Sequence, residues 1–344
     1  MTENRGNCTS VIRHLTSEIM HILITGAAGM IGRKLVARLV ADGALSGRDI
    51  DKLTLVDVVA PQQPEKFSGQ AEIVAADIAD PAAVRAMVAG RPDVIFHLAG
   101  VVSGEAELDF EKGMRVNLDG SRLLFDAVRR LDYRPRLVFS SSIAVFGAPF
   151  PHAIGDDFHL TPLTSYGTQK AATELLLADY TRRGFLDGVG IRLPNIVVRP
   201  GKPNKAASGF FSSIIREPLA GQEAVLPVDD SVTNWHASPR AAVGFLIHAA
   251  GLDAAKLGPR INLTMPGVCC TVAEQIAALR RIAGDKVAAR IRREPDPLIG
   301  RIVAGWPRRF DAARALTLGF TVDASFDDII RIHIEEELGG KLAS

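Results

Sequence analysis

The chain has 344 residues, 47% of them apolar and 23% charged, with 40 basic against 39 acidic side chains and a formal net charge of +1. That length and composition suit a globular protein with a large buried core, arranged either as one α/β domain with an appendage or as two domains. The charge balance argues against nucleic acid or an acidic membrane surface as a partner, and no apolar run reaches the length of a bilayer span.

Cysteine usage narrows the class further. Cys269 and Cys270 are adjacent, a poor arrangement for bridging to each other, and Cys8 stands alone. No spaced Cys/His cluster suggests zinc, so no metal is expected, and a reducing cytoplasm is the simplest compartment. Residues 1–19 are polar and aperiodic and lack the apolar stretch of a signal peptide. They read as a disordered extension, with Met20 an alternative start.

In chain order, His21–Thr25 is a short apolar run ended by Gly26, which reads as a buried strand, and residues 30–41 carry helical periodicity. Lys52–Asp57 and Ala71–Ala76 are further strands. Asp80-Pro81 opens a helix, with Asp as cap and Pro in the first turn. Asp93–Leu98 and Arg136–Ser140 complete five strands separated by helices. Such alternation predicts a doubly wound parallel sheet of Rossmann type over residues 20–200. Beyond Pro200-Gly201 the alternation breaks down, and residues 201–344 are expected to form a smaller mixed α/β substrate lobe whose chain crosses back to the core.

Gly26-Ala-Ala-Gly29-Met30-Ile31-Gly32 lies between the first strand and the first helix. Gly26 allows the tight turn, Gly29 lets backbone approach a pyrophosphate, and Gly32 lets the helix pack close to the sheet. The amides of Met30 and Ile31 would bind phosphate at the helix start. A glycine triplet alone is weak evidence, but its strand–turn–helix context is the one the motif requires. Asp57 ends the second strand, where a carboxylate can accept from both adenosine-ribose hydroxyls and repel a 2′-phosphate. Val58–Pro61 supplies no arginine for such a phosphate, so NAD is expected over NADP. Asp77 and Ile78 fall where adenine would sit, and Leu98, Ala99 and Gly100 leave room for the cofactor ribose.

Tyr166 and Lys170 are four residues apart at the start of a helix expected over 164–183, hence on one face. A tyrosine with its ordinary pKa of about 10 is a poor base at neutral pH, and a neighbouring ammonium favours the phenolate. Alone, such a pair is an ordinary surface contact. Ser140-Ser141-Ser142 ends the fifth strand, where doubly wound sheets place their ligands. One serine could hold a substrate oxygen while the others satisfy backbone groups. Gly-x-Ser-x-Gly is absent, which argues against a serine hydrolase.

Taken together, the glycine loop, His97-Leu-Ala-Gly100, Ser140-Ser-Ser-Ile-Ala-Val-Phe-Gly147 and Tyr166-x-x-x-Lys170 resemble the ordered motifs of extended short-chain dehydrogenases, over residues 20–335. Three stretches resemble the branch acting on D-erythronate rather than the sugar-nucleotide epimerases: Ser103–Glu107, Arg199–Phe211 and Trp235–Arg240. The resemblance implies an NAD-dependent dehydrogenase in which Ser142 is the catalytic serine, Tyr166 the base, and Lys170 the group that lowers its pKa and holds nicotinamide ribose. Asn117 matches the family's helix asparagine, either structural or a water relay, and Pro194 and Asn195 match its nicotinamide contact. Two departures stand out, Phe146 in place of a tyrosine and Val198-Arg199-Pro200 in place of a Gly-Pro. A substrate carboxylate is expected to find a cation at Lys205 or Arg240, with Ser103 nearby. A nucleotide-sugar epimerase and a non-catalytic dinucleotide sensor remain the rival readings, and a homodimer is left open.

Overall fold

The computed structural model describes residues 20–201 and 207–342. The proposed extension 1–19, Cys8 and the candidate anchor Lys205 lie outside the described residues.

Eight strands form the central sheet: β1 (Met20–Thr25), β2 (Ala44–Leu45), β3 (Arg48–Asp57), β4 (Gln70–Ala75), β5 (Val94–His97), β6 (Arg136–Ser142), β7 (Asp187–Leu193) and, much later in the chain, β11 (Asn262–Thr264). The order is β11-β7-β6-β5-β1-β3, with β4 beside β3 and the two-residue β2 antiparallel to the start of β3. All other pairings in this sheet are parallel. Every residue of β1 and of β5 is buried. That is the physical reason both read as unbroken apolar runs, since central parallel strands are covered on both faces. The chain moves from β1 toward β3 and β4 on one side and toward β5, β6 and β7 on the other, which opens a crevice at the carboxyl ends of β1 and β5.

Helices α1 (Met30–Asp42) and α2 (Pro81–Val88) begin where the sequence signals them, and the Asp80 side chain accepts from the Ala82 amide. After β5 come α3 (Ser103–Leu108), α4 (Phe110–Gly113), a π-helical stretch Met114–Gly120 and α5 (Ser121–Arg130). Helix α6 (Ser165–Arg182) is capped by the Thr164 hydroxyl, which accepts from Gly167. Two hydrophobic clusters flank the sheet, one around Leu35, Leu39 and Phe245, the other around Leu124, Phe125 and Leu177.

The remaining elements build the second layer of the cleft. Strands β8 (Asn195–Ile196), β10 (Thr233–Ala237) and β12 (Val268–Thr271) form one small sheet, and β9 (Ala224–Leu226) and β13 (Ile291–Arg293) form another. They pack with α7 (Phe210–Leu219), α10 (Val272–Ala283), α11 (Asp285–Ala288), α12 (Pro297–Ala304) and α14 (Phe326–Glu337) around a third cluster that includes Phe211, Leu279 and Ile330. Helix α8 (Pro239–Gly251) does not stay with this lobe. Its Phe245 and Leu246 belong to the core cluster of the large sheet, and β11, which follows the short α9 (Ala254–Leu257), extends that sheet. Helix α13 (Ala313–Thr317) likewise contributes Ala315 to the core cluster. Several segments beyond residue 200 thus contribute to this core, so the lobe is tied to the sheet by several chain crossings.

Candidate active site

The glycine loop forms because backbone must fold against backbone. Gly26 has φ +79°, and a Cβ there would lie 2.7 Å from the amide nitrogen of Ala99. The loop is therefore pressed onto Leu98-Ala99 at the end of β5, bringing two of the expected cofactor segments together. At Gly32 an added Cβ would stand 2.2 Å from the carbonyl oxygen of Gly26. No side chain caps the start of α1 at Gly29, which leaves the amides near Met30 and Ile31 available to an anion.

Asp57 sits at the end of β3, where its carboxylate accepts from the amides of Ala28 (3.0 Å) and Val58 (2.7 Å). It thus ties the glycine loop to the second strand. Val58 and Val59 are exposed beside it and carry no charge. Asp77 is differently employed, bound by Arg115 (2.6 Å) and by the Ala79 amide (2.9 Å). Partial burial works to raise its pKa, but these two donors hold it below the ordinary carboxyl value. Ile78 is buried against Gly120.

The three serines at the end of β6 divide their work. Ser140 donates to the His97 carbonyl (3.1 Å) and Ser141 to the buried Glu174 (2.5 Å). Of the three, Ser142 is the one near enough to Tyr166 to lower the pKa of its phenol, and it also accepts from the Ala144 amide (3.1 Å). Helix α6 comes close enough for this because Gly167 has no side chain, and a Cβ there would meet the Ala144 carbonyl oxygen at 2.2 Å.

Lys170 donates to the Ser140 carbonyl (2.9 Å) and lies over the rings of Phe139 (4.7 Å) and Tyr166 (5.7 Å). Burial pulls its pKa down to about 8, against the support of Glu174. Glu174 in turn forms a buried ion pair with Arg192 (2.8 Å). Burial raises the Tyr166 pKa, while the Ser142 bond and the Arg199 guanidinium lower it. The Arg199 guanidinium thus acts on this phenol in addition to the Lys170 ammonium, which lies 5.7 Å from the centre of its ring.

Asn117 is buried with its amide fully employed. Its Oδ1 accepts from the Val101 amide (2.9 Å), and its Nδ2 donates to the carbonyl of Val101 (3.2 Å) and to Gln169 (2.7 Å). It fastens the segment after β5 to α6 and leaves no amide proton for a water relay. A Cβ at Gly100 would lie 2.9 Å from Asn117 Oδ1 and 3.6 Å from Lys170 Nζ, so the ends of β5 and β6 and the start of α6 converge. His97 bridges Thr25 and Ser121 (2.8 Å each), and burial lowers its pKa to about 3, so it is a neutral core residue.

Ser103 opens α3 beyond this convergence. Arg240 departs from the expectation. Its guanidinium lies 2.7 Å from both Glu335 and Glu336 of α14, where it holds α8 to α14. With two carboxylates already bound, it is not a free cation for a substrate. The cation the sequence reading passed over is Arg199, which follows β8. Its Nη2 donates to Asn195 Oδ1 (2.7 Å) and Ser208 Oγ (3.1 Å), and its Nε to the Ile196 carbonyl (2.9 Å). The available signal was its departure from the Gly-Pro usual at that place. Among the described residues no group of His, Cys, Asp and Glu could hold a metal, Cys269 and Cys270 are free, and no helix is long and apolar enough to cross a membrane.

The site thus offers a phenol, a hydroxyl and an ammonium at the carboxyl end of a doubly wound sheet, beside an uncapped helix start. Comparison with known proteins agrees. The model of the NAD dependent epimerase/dehydratase family matches residues 22–237. The chain is 49% identical over 321 residues to the D-erythronate dehydrogenase of Cupriavidus necator, covering 92% of this chain and 98% of that protein. It is 40% identical over 319 residues to the D-erythronate dehydrogenase of Haemophilus influenzae, covering 93% and 100%. A crystal structure of a nucleoside-diphosphate-sugar epimerase from Agrobacterium tumefaciens is 60% identical, with a TM-score of 0.93 and coverage of 100% and 99%. The chain belongs to the NAD-dependent epimerase/dehydratase family.

Proposed function

We propose that this chain is a dehydrogenase that oxidises the C2 hydroxyl of D-erythronate to the 2-keto acid, with NAD as the hydride acceptor. The observation that carries the reading is the likeness, over nearly their whole lengths, to two D-erythronate dehydrogenases.

The residues present fit a nicotinamide dinucleotide. The uncapped α1 start, the glycine loop pressed on Leu98-Ala99 and the carboxylate of Asp57 follow one another along the crevice. Gly26, Gly29, Met30, Ile31 and Gly32 would hold the pyrophosphate and Asp57 the adenosine ribose. Lys170 and the Pro194-Asn195 segment would lie toward the nicotinamide end. Asp57 beside the uncharged Val58 and Val59 favours NAD over NADP. When bound, the dinucleotide supplies the acceptor for the hydride leaving C2.

The protein's part is the proton. Ser142 would hold the substrate hydroxyl beside Tyr166, and the phenolate of Tyr166 would take its proton as the C2 carbonyl forms. Lys170, fixed by the Ser140 carbonyl, would hold the nicotinamide ribose. A phenolate is costly to bury, and Ser142, Arg199 and the neighbouring Lys170 ammonium would support it.

The 60%-identical crystal structure, described as that of an epimerase, motivates a second reading, in which the same three residues act on a nucleotide sugar and the hydride is returned. Incubation of the purified protein with NAD and either D-erythronate or UDP-sugars separates the two. Net NADH with D-erythronate is expected. Interconversion of UDP-sugars without net NADH would overturn the dehydrogenase reading.

A further inference from the structure

Ser142 of β6 lies directly opposite Leu193 of β7 in the parallel register. Two residues beyond Leu193 is Asn195, whose side-chain oxygen accepts from Arg199. This short path brings a guanidinium to the carboxyl end of the sheet, near enough to Tyr166 to act on its phenol. The Arg199 backbone is fixed as well, because its amide donates to Ser212 (3.1 Å) and its carbonyl accepts from Arg216 (2.6 Å). One edge of the guanidinium, Nε and Nη2, is spent on Ile196, Asn195 and Ser208.

Two donors remain without partners. Nη1 makes no hydrogen bond, and Arg199 pairs with no carboxylate, among the described residues. Nδ2 of Asn195 is buried and also unpartnered. A partly buried cation without a counter-ion, next to an unsatisfied amide donor, is costly unless an acceptor-rich anion completes it. Planar guanidinium geometry suits a carboxylate.

We propose that Arg199, with Asn195 beside it, binds the carboxylate of the substrate and sets the preference for sugar acids over uncharged polyols. The assignment rests on the dehydrogenase reading above and goes further by naming the anchor.

The test compares wild type, Arg199→Met and Arg199→Lys in the full-length protein saturated with NAD. The substrates are D-erythronate and erythritol, which carries CH2OH in place of the carboxylate. In Arg199→Met the ratio of kcat/KM for acid over polyol should fall at least about tenfold, the scale of losing a charged hydrogen bond, with NAD affinity unchanged. Arg199→Lys should raise KM for the acid more than for erythritol, whereas any effect through Tyr166 lowers kcat for both substrates alike. An unchanged ratio in Arg199→Met overturns the proposal. If that variant does not fold, equal effects of Arg199→Lys on both substrates overturn it. Should wild type not oxidise D-erythronate at all, the dehydrogenase reading falls, and the anchor is judged by melting temperature. Short hydroxy acids such as D-erythronate or D-glycerate should then raise the Tm of NAD-loaded wild type but not of Arg199→Met. No rise in wild type, or the same rise in both, removes Arg199 as an anion site.

Discussion

At the proposed nucleotide edge of the cleft, recognition would fall to backbone. Gly26, Gly29 and Gly32 bring amides to one place within seven residues, and the Asp57 side chain ties this loop to a neighbouring strand. At the proposed substrate edge, side chains gather from distant segments: Ser142 from β6, Tyr166 and Lys170 from α6, Asn195 from β8, and Arg199 just after it. Beneath them lies a buried pair, Glu174 with Arg192, that joins α6 to β7 and also receives Ser141. The contrast teaches that a general feature such as pyrophosphate can be bound by peptide groups, which any sequence supplies. Positioning one particular hydroxyl and carboxylate needs side chains held by long-range packing.

The sharpest way to break the contrast is at the buried pair. Glu174→Leu leaves Arg192 buried and unpaired, at a cost of about 3–5 kcal/mol in stability. Calorimetry should record a large drop in Tm, and an undiminished Tm would show that the substrate edge does not depend on this support. Tyr166→Phe should lower turnover by about a hundredfold or more while NAD affinity, measured by titration, stays the same. Turnover within a few-fold of wild type would remove Tyr166 from the chemistry.

The nucleotide edge should respond in the opposite sense. Asp57→Ala should weaken NAD by about tenfold, the scale of a lost charged hydrogen bond, and weaken NADP much less, because the same carboxylate repels a 2′-phosphate. A wild type that prefers NADP in direct titration would refute this reading of β3. The smallest effect concerns pH. Burial raises the Tyr166 pKa, so the phenolate is scarce near neutrality and oxidation should quicken as pH rises, by at most about tenfold per unit. His97, already neutral with a pKa near 3, should add no step between pH 5 and 8. A histidine-like inflection in kcat/KM there would point to a base other than Tyr166.

Much of this molecule was legible before any coordinates. The five strands of the first half, the Asp80-Pro81 helix start and the α6 helix appear within a few residues of their expected places. Their signals are local, being apolar runs, caps and glycine turns. The division of labour among Ser140, Ser141 and Ser142 was expected in kind, and the family resemblance named Ser142; the physical reason that it lies near Tyr166 is the register of β6 and the approach of α6 at Gly167. Arg240 illustrates the limit. As a sequence position it is a basic residue near the lobe, and only the folding of α14 onto α8 reveals that Glu335 and Glu336 occupy it.

The sequence by itself determined the cofactor class, the sheet and the Tyr166–Lys170 pair, because periodicity, turn chemistry and i, i+4 spacing act over a few residues. Tertiary structure alone decided that Asn117 is a clamp, that α8 and β11 are the segments that return to the large sheet, and that a second cation, Arg199, acts on Tyr166. Each of those facts depends on contacts between segments far apart in the chain, and burial there sets both the charge state of a side chain and the partners it can reach.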